Sequence, residues 1–358
     1  MVQELLSENG LPLPPYSRIS WTVVSCSAET RTSFLAQPLQ SGRSTIFSVP
    51  PQVFWPYCAA VVSLAVAIAA FWKPTVRASG LDKLRALAPA AYAIPLVIFG
   101  ADHLSSVKEV MRIVPSWMPG KIFWTIFVGA ALILAGFSIL LGIQRQLSTT
   151  LLGIMFFLFE ALMHIPSLIR LAAGGHLFIS PGQRAVLGVA GRDFAFGCGA
   201  FVLAAAASRA GFRNRIERYA CRGMAVVALV FGFIHFWYPR FAPGVPLEKR
   251  NPDWIPGGPA WGYITGAALI LGAIGMLGRD TTRRKAATIL GTILVLLVAV
   301  FYVPIMFAQP TVETLNYVAD TLLFAASILI GAGPIAARSA VPGNPARDDA
   351  LSHSKAAA

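Results

Sequence analysis

WMPGKIFWTIFVGAALIL at 117–134 returns as WIPGGPAWGYITGAALIL at 254–271, at one offset of 137 and with ten identities in eighteen positions. Unrelated segments of ordinary composition would share about one. The match extends outward: FGADH at 99–103 pairs with FGFIH at 231–235, Pro166 with Pro304, and Asp193 with Asp320. A chain that repeats this much repeats a supersecondary unit, so a tandem duplication is expected.

Composition names the solvent. The 358-residue chain is 56% apolar and 13% charged, with a mean hydropathy of +0.66, outside the range of soluble domains. Its apolar residues fall into runs of about twenty, the length at which a helix crosses the hydrocarbon core. Nine runs predict helices over 54–72, 88–105, 122–142, 150–170, 193–209, 220–237, 261–278, 287–307 and 315–334. The expected fold is an all-α polytopic membrane protein. It has an extra N-terminal helix within 51–80, a first four-helix bundle over 81–210 and a second over 211–335. Each copy has an even number of spans, so both enter the membrane from the same side and the repeat is parallel. Residues 1–50 mix Ser, Pro, Gln and Arg without the basic start and apolar core of a signal peptide, and read as a disordered tail. Residues 336–358 read as a second disordered tail.

Charge orients the array. Beyond the first run, the side carrying the C-terminus holds seventeen Lys and Arg residues and the opposite side nine. The positive-inside rule places the C-terminus in the cytoplasm and the N-terminus outside. This asymmetry accounts for a formal charge of +13 without nucleic acid, with Arg213, Arg215 and Arg218 expected in a short loop against anionic lipid. Cys26, Cys58, Cys198 and Cys221 form no C-x-x-C pair, which argues against a thiol relay or a structural disulfide.

Ionisable groups at membrane depth are costly, so function is sought among them first. In the first copy His103 ends the second predicted helix, Trp124 begins the third, His164 nears the end of the fourth and Asp193 begins the fifth. His235, Trp261, Tyr302 and Asp320 hold the same stations in the second copy. Each bundle is thus expected to have an outer mouth holding an imidazole, an indole and a carboxylate. Structural roles compete with this: Trp belongs to the interfacial belt, and Asp193 could cap a helix N-terminus. Glu160 differs in lying mid-helix, matched by apolar Val298, with His164 one turn along the same face. A lone charge there costs roughly 2.5–3.5 kcal/mol on insertion scales, so Glu160 needs a partner or a proton. Only the first copy has this pair, which favours it as the seat of any chemistry.

Glu160 and His164 are spaced i, i+4 and occur once, unlike the repeated Glu-x-x-His of di-iron bundles, and His103 and His235 lie in different bundles. Neither a metal nor a haem is expected. Phosphate-loop, nucleophile-elbow and zinc motifs are absent. The Gly and Ala of the repeated GAALIL read as close helix packing. FAPGVPLEKRNPDWIPG at 241–257 is too rich in Pro for a helix and is expected to lie across the outer mouth.

The unit has a Gly-x-x-polar end to its first helix, a W-x-P-G approach to its second, a G-A-x-L-I-L second helix and an Asp-led, Gly/Ala-rich fourth. In this it resembles the DoxX-like membrane proteins. GRDFAFGCGAFVLAAA at 191–206 carries the resemblance best and ADTLLFAASILIGA at 319–332 more weakly; together the units cover roughly 88–210 and 220–335. Two departures stand out: His103 and His235 replace a residue that is often basic, and two units are fused behind an extra helix. The resemblance implies a membrane anchor or quinone-interacting subunit for a redox partner. His103, Asp193, Glu160 and His164 would then be candidate proton or quinone-headgroup ligands. Two alternatives remain open, a small-solute transporter and a non-catalytic scaffold, and the motifs do not decide whether the chain is an enzyme. Against transport, no predicted helix shows the Gly/Pro interruption near its middle that marks a midplane site.

Overall fold

The computed structural model describes residues 49–174, 181–206, 208–246 and 251–333. Of the expected tails over 1–50 and 336–358, all but residues 49 and 50 lie outside the described residues, as does Cys26. Among those described, the apolar runs form nine helices long enough to span a membrane. They are α1 (Pro51–Arg77), α2 (Asp82–Ser105), α3 (Lys121–Leu141), α4 (Arg145–Ala173), α5 (Pro181–Ala205), α6 (Ala210–Trp237), α7 (Ala260–Leu277), α8 (Asp280–Ala308) and α9 (Val312–Gly331). The protein is an all-α, multi-pass membrane protein. Its outer surface requires lipid: Leu134 and Leu271, matched in the sequence repeat, are 69% and 70% exposed.

Six helices, α1, α2, α4, α5, α6 and α8, are longer than their apolar runs, and two of the differences matter. α5 starts at Pro181 rather than 193, so Asp193 lies inside the helix and caps nothing. α6 starts at Ala210, so Arg213, Arg215 and Arg218 stand on its first turns rather than in a loop. Hydropathy marks only the part of a helix that faces lipid, whereas Arg is a good helix former and carries the same rod onward.

The W-x-P-G motif has a local cause in both copies. Gly120 and Gly257 adopt φ of 66° and 96°, the left-handed region that glycine enters freely. The chain then turns into α3 or α7, and an indole closes the turn. Trp124 Nε1 donates to Pro119 O at 3.1 Å and Trp261 Nε1 to Pro256 O at 2.8 Å. Where α2 crosses α3, a Cβ on Gly100 would stand 2.6 Å from the Gly129 carbonyl oxygen; where α6 crosses α7, one on Gly232 would stand 3.0 Å from that of Gly266. These glycines bring the backbones into contact, the packing that lipid-embedded helices use in place of hydrophobic burial.

α9 lies against α2 and α5 as well as α8, and α5 also packs on α6, so the two sets of four helices share one seam. Of the nine helices α9 is the least hydropathic and the most buried. α1 packs on α2 and stays largely exposed. At the end of α9 its last carbonyls are capped by three arginines: Arg283 reaches Gly331 O at 3.2 Å, Arg284 Ala332 O at 3.3 Å, and Arg85 Gly333 O at 2.7 Å. Glu217, 1% exposed, sits among the same cations, 3.2 Å from Arg284 and 3.6 Å from Arg213.

Candidate functional site

α4 and α8 are each interrupted past their middles by a π turn, Glu160–His164 and Val298–Tyr302, at positions 138 apart. The expectation of uninterrupted spanning helices is corrected here, and proline is the cause. Pro166 and Pro304 have no N–H for the carbonyls of Leu162 and Val300. The preceding residues, Ile165 and Val303, donate five residues back, to Glu160 O and Val298 O. The wider turn sets residues four apart on one face. Glu160 and His164 are both buried, as are Val298 and Tyr302.

His164 Nε2 meets Asp193 Oδ2 at 3.1 Å, and the other oxygen of Asp193 accepts from Arg192 Nε at 3.1 Å. Arg192 also donates through a terminal nitrogen to Asp320 on α9. One guanidinium on α5 therefore serves the two aspartates that the repeat places in register. Asp193 and Asp320 are only 8% and 3% exposed, where an unpaired charge would be strongly disfavoured. The residue before Asp320 is Ala319, fully buried, so the seam holds a single such arginine. Glu160 stands next to this chain, 8% exposed, and its Oε1 is buried without a hydrogen-bond partner. Two carboxylates contact the one guanidinium, and Glu160 lies within electrostatic reach of His164 and Asp193.

His103 lies beside the cluster, within electrostatic reach of Arg192 and Asp193. Its Nδ1 donates to Phe99 O at 2.7 Å, and the matched His235 Nδ1 donates to Phe231 O at 2.6 Å. A carbonyl can only accept, which puts the proton on Nδ1 in both. His235 is fully engaged, because its Nε2 accepts the Gly244 N–H at 2.9 Å. The Tyr302 hydroxyl donates to Pro243 O, and its ring stacks on Tyr317. Of the Pro-rich segment, residues 242–246 are all buried, and the Pro246 carbonyl oxygen lies 2.7 Å from where a Gly188 Cβ would stand on α5; 247–250 lie outside the described residues.

The sequence pattern suggested two equivalent mouths, and the structure divides those residues differently. Glu160, His164, Asp193 and Asp320 come together at one shared cluster with His103 alongside. His235 and Tyr302 form a separate group under the 242–246 segment, and Trp124 and Trp261 close surface turns. Sequence reasoning missed Arg192, counting it as an outer-side charge. Its signal was the adjacent opposite charges of Arg-Asp within a Gly/Ala-rich apolar run. It also missed Asp102, which accepts from Ser106 and from Asn316 of α9, both at 3.1 Å. Among the described residues no group of three or more His, Cys, Asp or Glu side chains could hold a metal, and Cys58, Cys198 and Cys221 are free thiols. No family model, curated protein or solved structure matches this chain.

Proposed function

We propose that this chain is a tandem-duplicated, DoxX-like protein of a bacterial inner membrane, with its C-terminus in the cytoplasm. In this reading it holds a quinone-class headgroup beside the Glu160–His164–Asp193 cluster of its first unit and serves as the membrane subunit of a redox partner. The observation that carries the reading is the Glu160 carboxyl, 8% exposed, with an unpartnered oxygen next to the His164–Asp193–Arg192–Asp320 chain. A quinone suits those residues: its oxygens accept or donate at the carboxyl and imidazole groups, and its tail lies along the apolar helix walls. When bound it would supply the electron-carrying ring; the residues of this chain bind and orient it and hold protons at Glu160 and His164.

Solvent extraction of purified protein should yield bound quinone. The pair Glu160→Gln with His164→Ala should lose at least tenfold in quinone affinity, while Val298→Ala in the second unit leaves it within twofold. A wild-type protein that neither retains nor binds quinone refutes the reading. The π turns support a second one, a small-solute transporter, because broken helices at an ionisable cluster are how carriers build sites. Uptake into proteoliposomes that Glu160→Gln abolishes, without quinone binding, would favour it.

A further inference from the structure

In the second unit one peptide group is gripped on both polar edges. Its carbonyl, from Pro243, accepts from Tyr302, and its N–H, from Gly244, donates to His235 Nε2 at 2.9 Å. His235 and Tyr302 are matched in the first unit by His103 and His164, at offsets of 132 and 138. The histidine is fixed in the same way in both units, through Nδ1 to the carbonyl four residues back. A Cβ on Gly129 or Gly266 would stand 2.9 or 3.0 Å from the Cβ of His103 or His235. His103 therefore presents Nε2 as His235 does. The connecting segments differ: no residue of 107–120 is buried, whereas all of 242–246 are. Among the described residues His103 Nε2 makes no hydrogen bond, and Glu160 Oε1 is buried without one.

We propose that the open station at His103 Nε2, beside the Glu160–His164–Asp193 cluster, binds a small planar headgroup that brings a donor to that nitrogen, and that the second unit fills its own copy of that station with the Pro243–Gly244 peptide. With Nδ1–H committed to Phe99, a neutral His103 can only accept at Nε2, so the ligand must bring an O–H or N–H. Resting on the quinone reading above, this selects the hydroquinone over the oxidised quinone. The chain then carries one such site rather than two.

The test treats full-length protein in nanodiscs with diethyl pyrocarbonate, which acylates a free imidazole nitrogen, and maps the products by mass spectrometry. His103 should react at least tenfold faster than His235, which is 2% exposed. Gly244→Pro, which removes the N–H and forbids the φ of 102°, should open His235 to the reagent. Tyr302→Phe provides a milder release of the same peptide. Decylubiquinol should protect His103 at concentrations at least tenfold below those needed with decylubiquinone. Equal labelling of His103 and His235, or a His103 that resists, overturns the proposal. Equal protection by both redox forms overturns the donor requirement. Asymmetric labelling that neither form blocks overturns the quinone class and the proposed function with it, and leaves the open first station and the closed second one standing.

Discussion

Replacing Arg192 by Gln removes the single cation from between two buried carboxylates. Asp193 and Asp320 would then face each other across the α5–α9 seam, at 8% and 3% exposure. Removing one member of a buried ion pair costs about 3–5 kcal/mol. The 23% exposure of the Arg192 side chain lets water screen part of this, while its service to two carboxylates pushes the other way, so about 3–5 kcal/mol is retained as the expectation. In thermal unfolding of detergent-solubilised protein the midpoint should fall on the order of 10 °C. The informative arm is the second substitution. Asp320→Asn in the Arg192→Gln background removes the uncompensated charge and should recover more than half of the loss, although Asp320→Asn alone is destabilising. That sign reversal is the coupling a double-mutant cycle measures. An Arg192→Gln protein within about 1 kcal/mol of wild type, or an Asp320→Asn that deepens the loss, would refute the shared counterion.

Gly100→Ala should destabilise by about 1–3 kcal/mol, because its Cβ would meet a backbone oxygen at 2.6 Å and force α2 from α3. Gly211→Ala, with nothing within 4 Å, should be neutral or stabilise by roughly 0.5–1 kcal/mol. Equal unfolding midpoints for the two variants would show that the close helix approach has been misjudged. For orientation, reporter fusions after Arg145 and Arg215 should report cytoplasm and one after Lys249 the outer compartment; the inverse pattern reverses the assignment.

The nine apolar helices were legible in the sequence because hydropathy is a local pattern. Each apolar run predicted a helix, and the paired motifs put Trp124 and Trp261, and His103 and His235, in the same local bonds. What escaped was set by partners distant in the chain. Arg192 reads as a surface charge until α9 brings Asp320 to it from 128 residues away. Asp193 could be taken for a cap because the predicted helix began at 193, although the apolar AVLGVA at 185–190 already belongs to α5, which starts at Pro181. The π turns are encoded by single prolines, whose effect depends on how the surrounding bundle accommodates one unpaired carbonyl. His235 looked like a ligand because nothing local reveals that its second nitrogen is taken by a backbone N–H nine residues on.

The burial of α9 bears on biogenesis. This helix follows the other eight out of the ribosome, and as the least hydropathic of them it gains least from lipid. Its polar side chains find their partners in helices made earlier: Asp320 in Arg192 of α5, Asn316 in Asp102 of α2. The terminal carbonyls are received by arginines of α2 and α8. α9 is thus a guest that partitions into protein more than into the bilayer, and its arrival brings Arg192 its second carboxylate. A nascent chain stalled before Val312 would present Arg192 with Asp193 alone.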